Sequence, residues 1–292
     1  MPKRATRWPL HVLVLGVTAT LLVPLGAARN AAPQATAAAR APKASQPATK
    51  PAPGKPGREK AVPFALGETL TYDVSWSTFV TAGTATLAVR EKKPSYGSTA
   101  YYITAEGRPV EIVQRLYPLY YKADTLLDSF SLLPQRGSLY SDENGDRRMQ
   151  MTLFDQARAT ATYELRTATT ATRTLALPAP THDALSVLYA IRAMRMQPGA
   201  TAAFTVADGG KLLTVTTTVR RLDTLRTGTG LLNAWRVEPT IRDARGRANV
   251  ARQMAVWLSD DARRVPVKMT AELPVGTFAF TLRDAWRAEP GR

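Results

Sequence analysis

Phe64–Trp76 reads FALGETLTYDVSW, and from Leu70 onward every second residue is large and apolar. Side chains alternate across a strand, so Leu70, Tyr72, Val74 and Trp76 share one face. Thr69, Thr71, Asp73 and Ser75 share the other. Asp73 is the only carboxylate in the alternating run from Leu70, and the alternation puts it on the polar face. The stretch reads as the first strand of a sheet with one buried side.

The same pattern recurs to the end of the chain. GTATLAVRE carries Ala85, Leu87 and Val89 in alternation, AYYITAE and KADTLLDSF follow, and GTFAFTLRDAW closes the series. Turn signals fall between the runs. Asn144–Gly145 is the strongest, because both central positions of a type I′ turn need positive φ. Asp208–Gly210 and Thr227–Gly230 divide later runs, and Ser259, Asp260 and Asp261 divide VWL from VPVKM. About a dozen strands and few helices predict a mainly β protein: a single antiparallel curved sheet or barrel-like β-roll.

Two segments depart from period two. THDALSVLYAIRAM places Leu185, Leu188 and Ile191 at helical spacing, with Thr181 suited to the N-cap and Pro198–Gly199 as the stop. This predicts a helix over about 183–196, apolar enough to be buried against the sheet. RPVEIVQRLYPLYYK predicts a short helix over about 110–117, halted by Pro118.

Ahead of the sheet, Lys3, Arg4 and Arg7 precede an apolar run over 10–25, with Gly26 and Ala28 at small-residue positions. That is the pattern of an export signal over 1–28, or of an uncleaved inner-membrane anchor. Residues 29–63 are rich in Ala, Pro and Lys and read as a disordered linker. The folded domain is expected over 64–292. The net charge of +16 is uneven: residues 1–63 hold ten Lys or Arg against one Glu, and the remainder 29 against 22. A basic exported tail fits an anionic membrane surface or cell wall, whereas export argues against nucleic acid. The chain has no cysteine, so neither a disulfide nor a lipid-bearing cysteine is available.

Chemistry-bearing residues are sparse. Outside the leader the one histidine is His182, in the loop leading into the helix, and its neighbour Asp183 would point elsewhere. The carboxylates Asp73, Glu106, Glu111, Asp124, Asp128, Asp155 and Asp183 are scattered. Asp124 and Asp128 share a strand face, which alone does not make the carboxylate pair of a glycan hydrolase. No metal-ligand set, cofactor motif or phosphate-cradling loop is legible. The one clustered candidate is aromatic and basic: Arg108, Arg115, Tyr117, Tyr120, Tyr121 and Lys122. Such a group suits sugar rings, lipid headgroups or a membrane interface.

The order of FALGETLTYDVSW, TAGTATLAV, KADTLLDSFSLLP, HDALSVLYAIRAM, VWLSDDARRVPVKM and GTFAFTL resembles a bacterial exported family of domains of unknown function, numbered 3108. The resemblance implies an exported, β-rich single domain with one or two helices, and no assigned activity or catalytic residues. The combined expectation is a non-enzymatic envelope protein in the periplasm. It would bind an amphipathic ligand, such as a lipid, glycolipid or envelope polymer, in or on the curved sheet. The alternative is a scaffold that engages an envelope protein or peptidoglycan, and a carboxylate-based glycan hydrolase ranks behind both.

Overall fold

The computed structural model describes residues 58–286, apart from 78–79, 117, 179, 249–252 and 275. The expected leader and all but the last few linker residues lie outside the described residues. Among those described, no helix is long and apolar enough to cross a membrane.

The opening stretch forms β1 (Thr69–Trp76), in which Leu70, Tyr72 and Val74 are almost fully buried and Asp73 is exposed. From it the chain meanders outward through β2 (Val80–Ser95), β3 (Ser98–Pro109), β4 (Leu119–Asp128), β5 (Pro134–Glu143), β6 (Asp146–Asp155), β7 (Thr160–Arg166) and β8 (Thr170–Ala176). Each of these strands pairs antiparallel with its predecessor. The short helix α1 (Glu111–Leu116) joins β3 to β4, one residue inside each predicted end.

The second half starts at the opposite edge. β9 (Thr181–His182) leads through α2 (Ala184–Arg192) to β10 (Thr201–Asp208), which lies parallel to it. Then β11 (Lys211–Thr227), β12 (Gly230–Asp243), β13 (Gln253–Ser259), β14 (Pro266–Leu273) and β15 (Gly276–Trp286) return toward the start. β15 pairs with β1, so the two ends of the domain meet in the middle of one fifteen-stranded sheet whose edges are β8 and β9. The predicted Asn144–Gly145 turn is present, with φ of 52° and 86°.

No ladder joins β8 to β9, so the barrel-like sheet is not closed by backbone bonds. A side chain substitutes for the missing strand at one point. Gln156 Nε2 donates to the Thr181 carbonyl at 2.7 Å, and the Thr181 amide donates back to Gln156 Oε1 at 3.3 Å. The carboxamide thus imitates a peptide group opposite β9. A small apolar cluster of Phe154, Ala161, Leu175, Leu177 and Ala207 packs beside this seam.

Helix α2 fills the inner side of the sheet. Leu185, Val187, Leu188, Tyr189 and Ile191 are all buried, and they join the inward faces of both strand groups in one core. Burying each such aliphatic side chain is worth about 1.5–3 kcal/mol, which outweighs the modest helix propensity of a segment containing Val, Ile and Ser. Two expectations are corrected here. The N-cap is Asp183 rather than Thr181, whose backbone is committed to β9. The helix also ends at Arg192 rather than near 196: Ala193 caps it, with its amide bonding back to the Tyr189 and Ala190 carbonyls.

Candidate functional site

The aromatic and basic cluster is divided by the sheet. Tyr121 is 1 % exposed on the inner face, its hydroxyl donating to Glu143 at 2.6 Å, so it is a core residue and not a surface ligand. Its neighbours Tyr120 and Lys122 alternate to the outer face. There Arg108 lies over the Tyr120 ring at 5.2 Å, and Tyr140 sits 6.1 Å from it. Glu106 pairs with Lys122 at 3.5 Å and Arg108 at 3.7 Å. Arg115 is on α1 and pairs with Glu111 one turn away. Tyr117 lies outside the described residues. What remains of the cluster is a set of surface ion pairs and ring contacts on the outer face and on α1.

The carboxylates are likewise separated. Asp73 faces Arg283 at 3.3 Å, Asp124 is held by Arg136 and Ser138, and Asp155 pairs with Arg158. Asp128 organises the β4–β5 connection, accepting from the Phe130 and Ser131 amides and from the Ser131 hydroxyl. Partial burial would raise its carboxyl, but these bonds and one from Ser98 outweigh that and hold it below the usual range.

A concavity of about 670 Å³ lies where the β2–β3, β4–β5 and β6–β7 connections converge. Tyr96 and Leu153 are exposed at this groove, and Leu133, Gln135 and Arg158 line it. Gln135 Nε2 donates to Asp128 at 3.1 Å, while its carboxamide oxygen is buried without a hydrogen-bond partner. A buried acceptor left unpaired is costly, and a donor from a bound molecule would relieve it. The volume falls within the roughly 300–1,000 Å³ typical of small-molecule sites. By contrast, two gaps beside α2 measure about 60 and 50 Å³, each too small for a whole lipid.

The two ends of α2 carry the buried polar groups. At its start Asp183 accepts from the Leu185 amide (2.9 Å), the Ser186 amide (2.6 Å) and the Thr125 hydroxyl (2.6 Å). Ser186 Oγ in turn accepts from the Asp183 amide, completing a capping box. Burial pushes the Asp183 carboxyl above the ordinary carboxylate range despite these bonds. His182 is buried edge-on to Phe204, with Nδ1 3.4 Å from Ser186 Oγ. Burial, with a smaller contribution from the positive charge of Lys60, lowers its pKa to about 4, so it is neutral near pH 7. Gly137 on β5 makes room for the cap: a Cβ there would stand 2.6 Å from Asp183 Oδ2.

At the helix end Arg192 is fully buried. It grips Glu68 in a two-point ion pair (2.7 and 3.0 Å) and donates to the carbonyls of Arg263 and Arg264, each at 3.0 Å. Its guanidinium lies over Phe64 and Tyr189. The sequence reading missed this pair. Its one signal was an arginine continuing the Leu185–Leu188 stripe. The Gln135–Tyr96 groove carried no sequence signal, since its residues come from three separate connections.

Fold and site together define a barrel-like antiparallel sheet plugged by a helix, with a ligand-sized groove among its turns and scattered, engaged carboxylates. The chain belongs to the family described as "Protein of unknown function (DUF3108)", which matches residues 71–283. No curated protein matches it. Among solved structures it is similar to a beta-barrel-like protein of the domain of unknown function DUF1849 from Brucella abortus. That match has 11% identity and a TM-score of 0.51, over 77% of this chain and all of that one. Looser likenesses are to a Bacteroides fragilis protein described as exported with a YmcC-like fold and to a Parabacteroides distasonis lipoprotein. Their identities are 10% and 8% and their TM-scores 0.34 and 0.33, over 79% and 78% of this chain and all of each structure.

Proposed function

We propose that this is a non-enzymatic, exported envelope protein that holds the polar part of an envelope glycolipid or polymer in the groove among its turns. The observation that carries this reading is the pairing of a groove of about 670 Å³ with the orphan carboxamide oxygen of Gln135. Exposed Tyr96 offers a ring for stacking against a sugar, and Arg158 offers a cation for an anionic substituent. Export is read from the positively charged, apolar leader. Support for a binding rather than a catalytic role comes from the carboxylates, each engaged by its own cation, hydroxyl or turn.

The test is to purify the full chain from the envelope and to identify co-purifying glycans and lipids by mass spectrometry. Wild type is expected to retain a glycan-bearing molecule that Tyr96→Ala and Gln135→Leu each lose at least tenfold. Equal retention by all three proteins, or no retained molecule from wild type, would overturn the reading.

A further inference from the structure

A second opening lies between β12 and β13. These strands pair over only four residues, Ala234–Val237 against Val256–Ser259, although β12 continues to Asp243 and β13 begins at Gln253. β12 keeps its ladder with β11 as far as Asp243, and β13 keeps its ladder with β14 from Gln253. The two strands therefore diverge from each other beyond Val237 while each stays anchored on its far side. Pro239 stands at the divergence. Proline has no amide hydrogen to donate, and within sheets it is confined to such unpaired edges.

The divergence leaves space on both faces of the sheet. Outside is a cleft of about 350 Å³ that includes Arg236, Glu238 and Gln253. Inside is an apolar gap of about 50 Å³ against Val187, Leu188 and Ile191 of α2. Pro239, Ile241, Ala255 and Thr270 border both, so they form the threshold between the cleft and the helix.

The outer cleft also has a polar end, lined by Arg236 and Glu238. Glu238 is shared by Arg220 (2.6 Å) and Arg236 (2.8 Å), two guanidinium groups to one carboxylate. Arg236 lies over the Trp257 ring at 5.5 Å, and its Nε is buried without a hydrogen-bond partner. Its guanidinium is about one-third exposed and already pairs with Glu238, so only the Nε edge lacks a partner, which an anionic oxygen would supply.

We propose that this slot is a binding site for a single-chain amphiphile with an anionic head, of the long-chain carboxylate class. The head meets Arg236 Nε at the outer end, and the hydrocarbon runs over Ile241 and Ala255 toward the apolar flank of α2. One chain is what the slot admits: the interior gap takes only a chain end, and the outer cleft takes the rest. This site is independent of the turn-lined groove and does not rest on the function proposed for it.

The test uses oleate and the full chain, with fluorescence of the nearby Trp257 as the signal. Saturable binding of oleate is expected, with clear preference over oleyl alcohol. Ala255→Trp, which fills the threshold, is expected to weaken binding at least tenfold. Arg236→Gln should weaken oleate about five- to tenfold and abolish the preference over the alcohol. Met254 also lines the outer cleft, and because the protein has no cysteine, Met254→Cys gives a readout that tolerates folding defects in the other variants. Oleate should slow its alkylation at least fivefold, and Gln135→Leu should bind oleate as wild type does. Absence of saturable binding, unchanged alkylation, equal affinity for acid and alcohol, or loss of binding in Gln135→Leu would each overturn the proposal.

Discussion

The two ends of α2 solve the same problem in opposite ways. At the C-terminal end a full positive charge is buried, and it donates hydrogen bonds to Glu68 and two carbonyls. At the N-terminal end the carboxyl of Asp183 is buried among amides and hydroxyls, with no cation against it, and the neighbouring histidine is kept neutral. The first arrangement ties the segment before β1, the helix and the β13–β14 connection together. The second sits at the open seam, next to a gap of about 60 Å³. The difference teaches that one end of the helix is fixed by charge and the other is adjustable by protons.

The sharpest way to break the comparison is at the fixed end. Arg192→Met leaves Glu68 buried without its partner and is expected to cost about 3–5 kcal/mol in chemical denaturation. Arg192→Met combined with Glu68→Leu should recover most of that loss, since an apolar pair replaces the ion pair without stranding a charge. If the double variant is as unstable as the single one, the pair does more than neutralise itself.

The adjustable end should respond to acid. The pKa of His182 falls from 6.5 when unfolded to about 4 when folded, so the unfolded chain binds more protons between those values. Its contribution is therefore intact above pH 6.5 and is lost as the pH falls toward 4, by up to about 3 kcal/mol. Asp183 acts with the opposite sign: its carboxyl is raised, so protonation favours the folded state as the pH falls through its folded pKa. His182→Gln should flatten the loss between pH 6.5 and 4 in thermal unfolding; an unchanged slope would mean that other groups carry it.

Smaller effects test the surroundings of that end. Gly137→Ala pushes a methyl against Asp183 Oδ2 and should cost about 1–2 kcal/mol, comparable to losing a helix cap. Gln156→Leu removes both bonds across the seam and should cost about 1 kcal/mol, with faster amide exchange at Thr181 as its signature. Arg115→Ala, on the exposed helix α1, should change stability by less than about 0.5 kcal/mol.

Much of the fold was legible because period two is a local property. Leu70, Tyr72 and Val74 announce their burial within five residues, and Asn144–Gly145 announces its turn within two. The burial of α2 was legible for the same reason. The ion pair at its end was not, because Glu68 lies 124 positions away from Arg192. The candidate sites were the least legible. Tyr120, Tyr121 and Lys122 are adjacent in sequence but fall on opposite faces, whereas Tyr96, Gln135 and Arg158 converge from three connections. The β12–β13 divergence left one trace, a proline inside an otherwise strand-like run.

The pairing of β1 with β15 carries a consequence for how the chain reaches its native state. Every other ladder within β1–β8 and within β10–β15 links sequence neighbours, so each half can assemble as a meander. The β1–β15 ladder joins residues more than two hundred positions apart and becomes available only when the last strand has been delivered. Closure of long loops slows folding, so zipping β15 onto β1 is expected to set the pace. A chain that ends before β15 would therefore hold two preassembled half-sheets without the ladder that joins them.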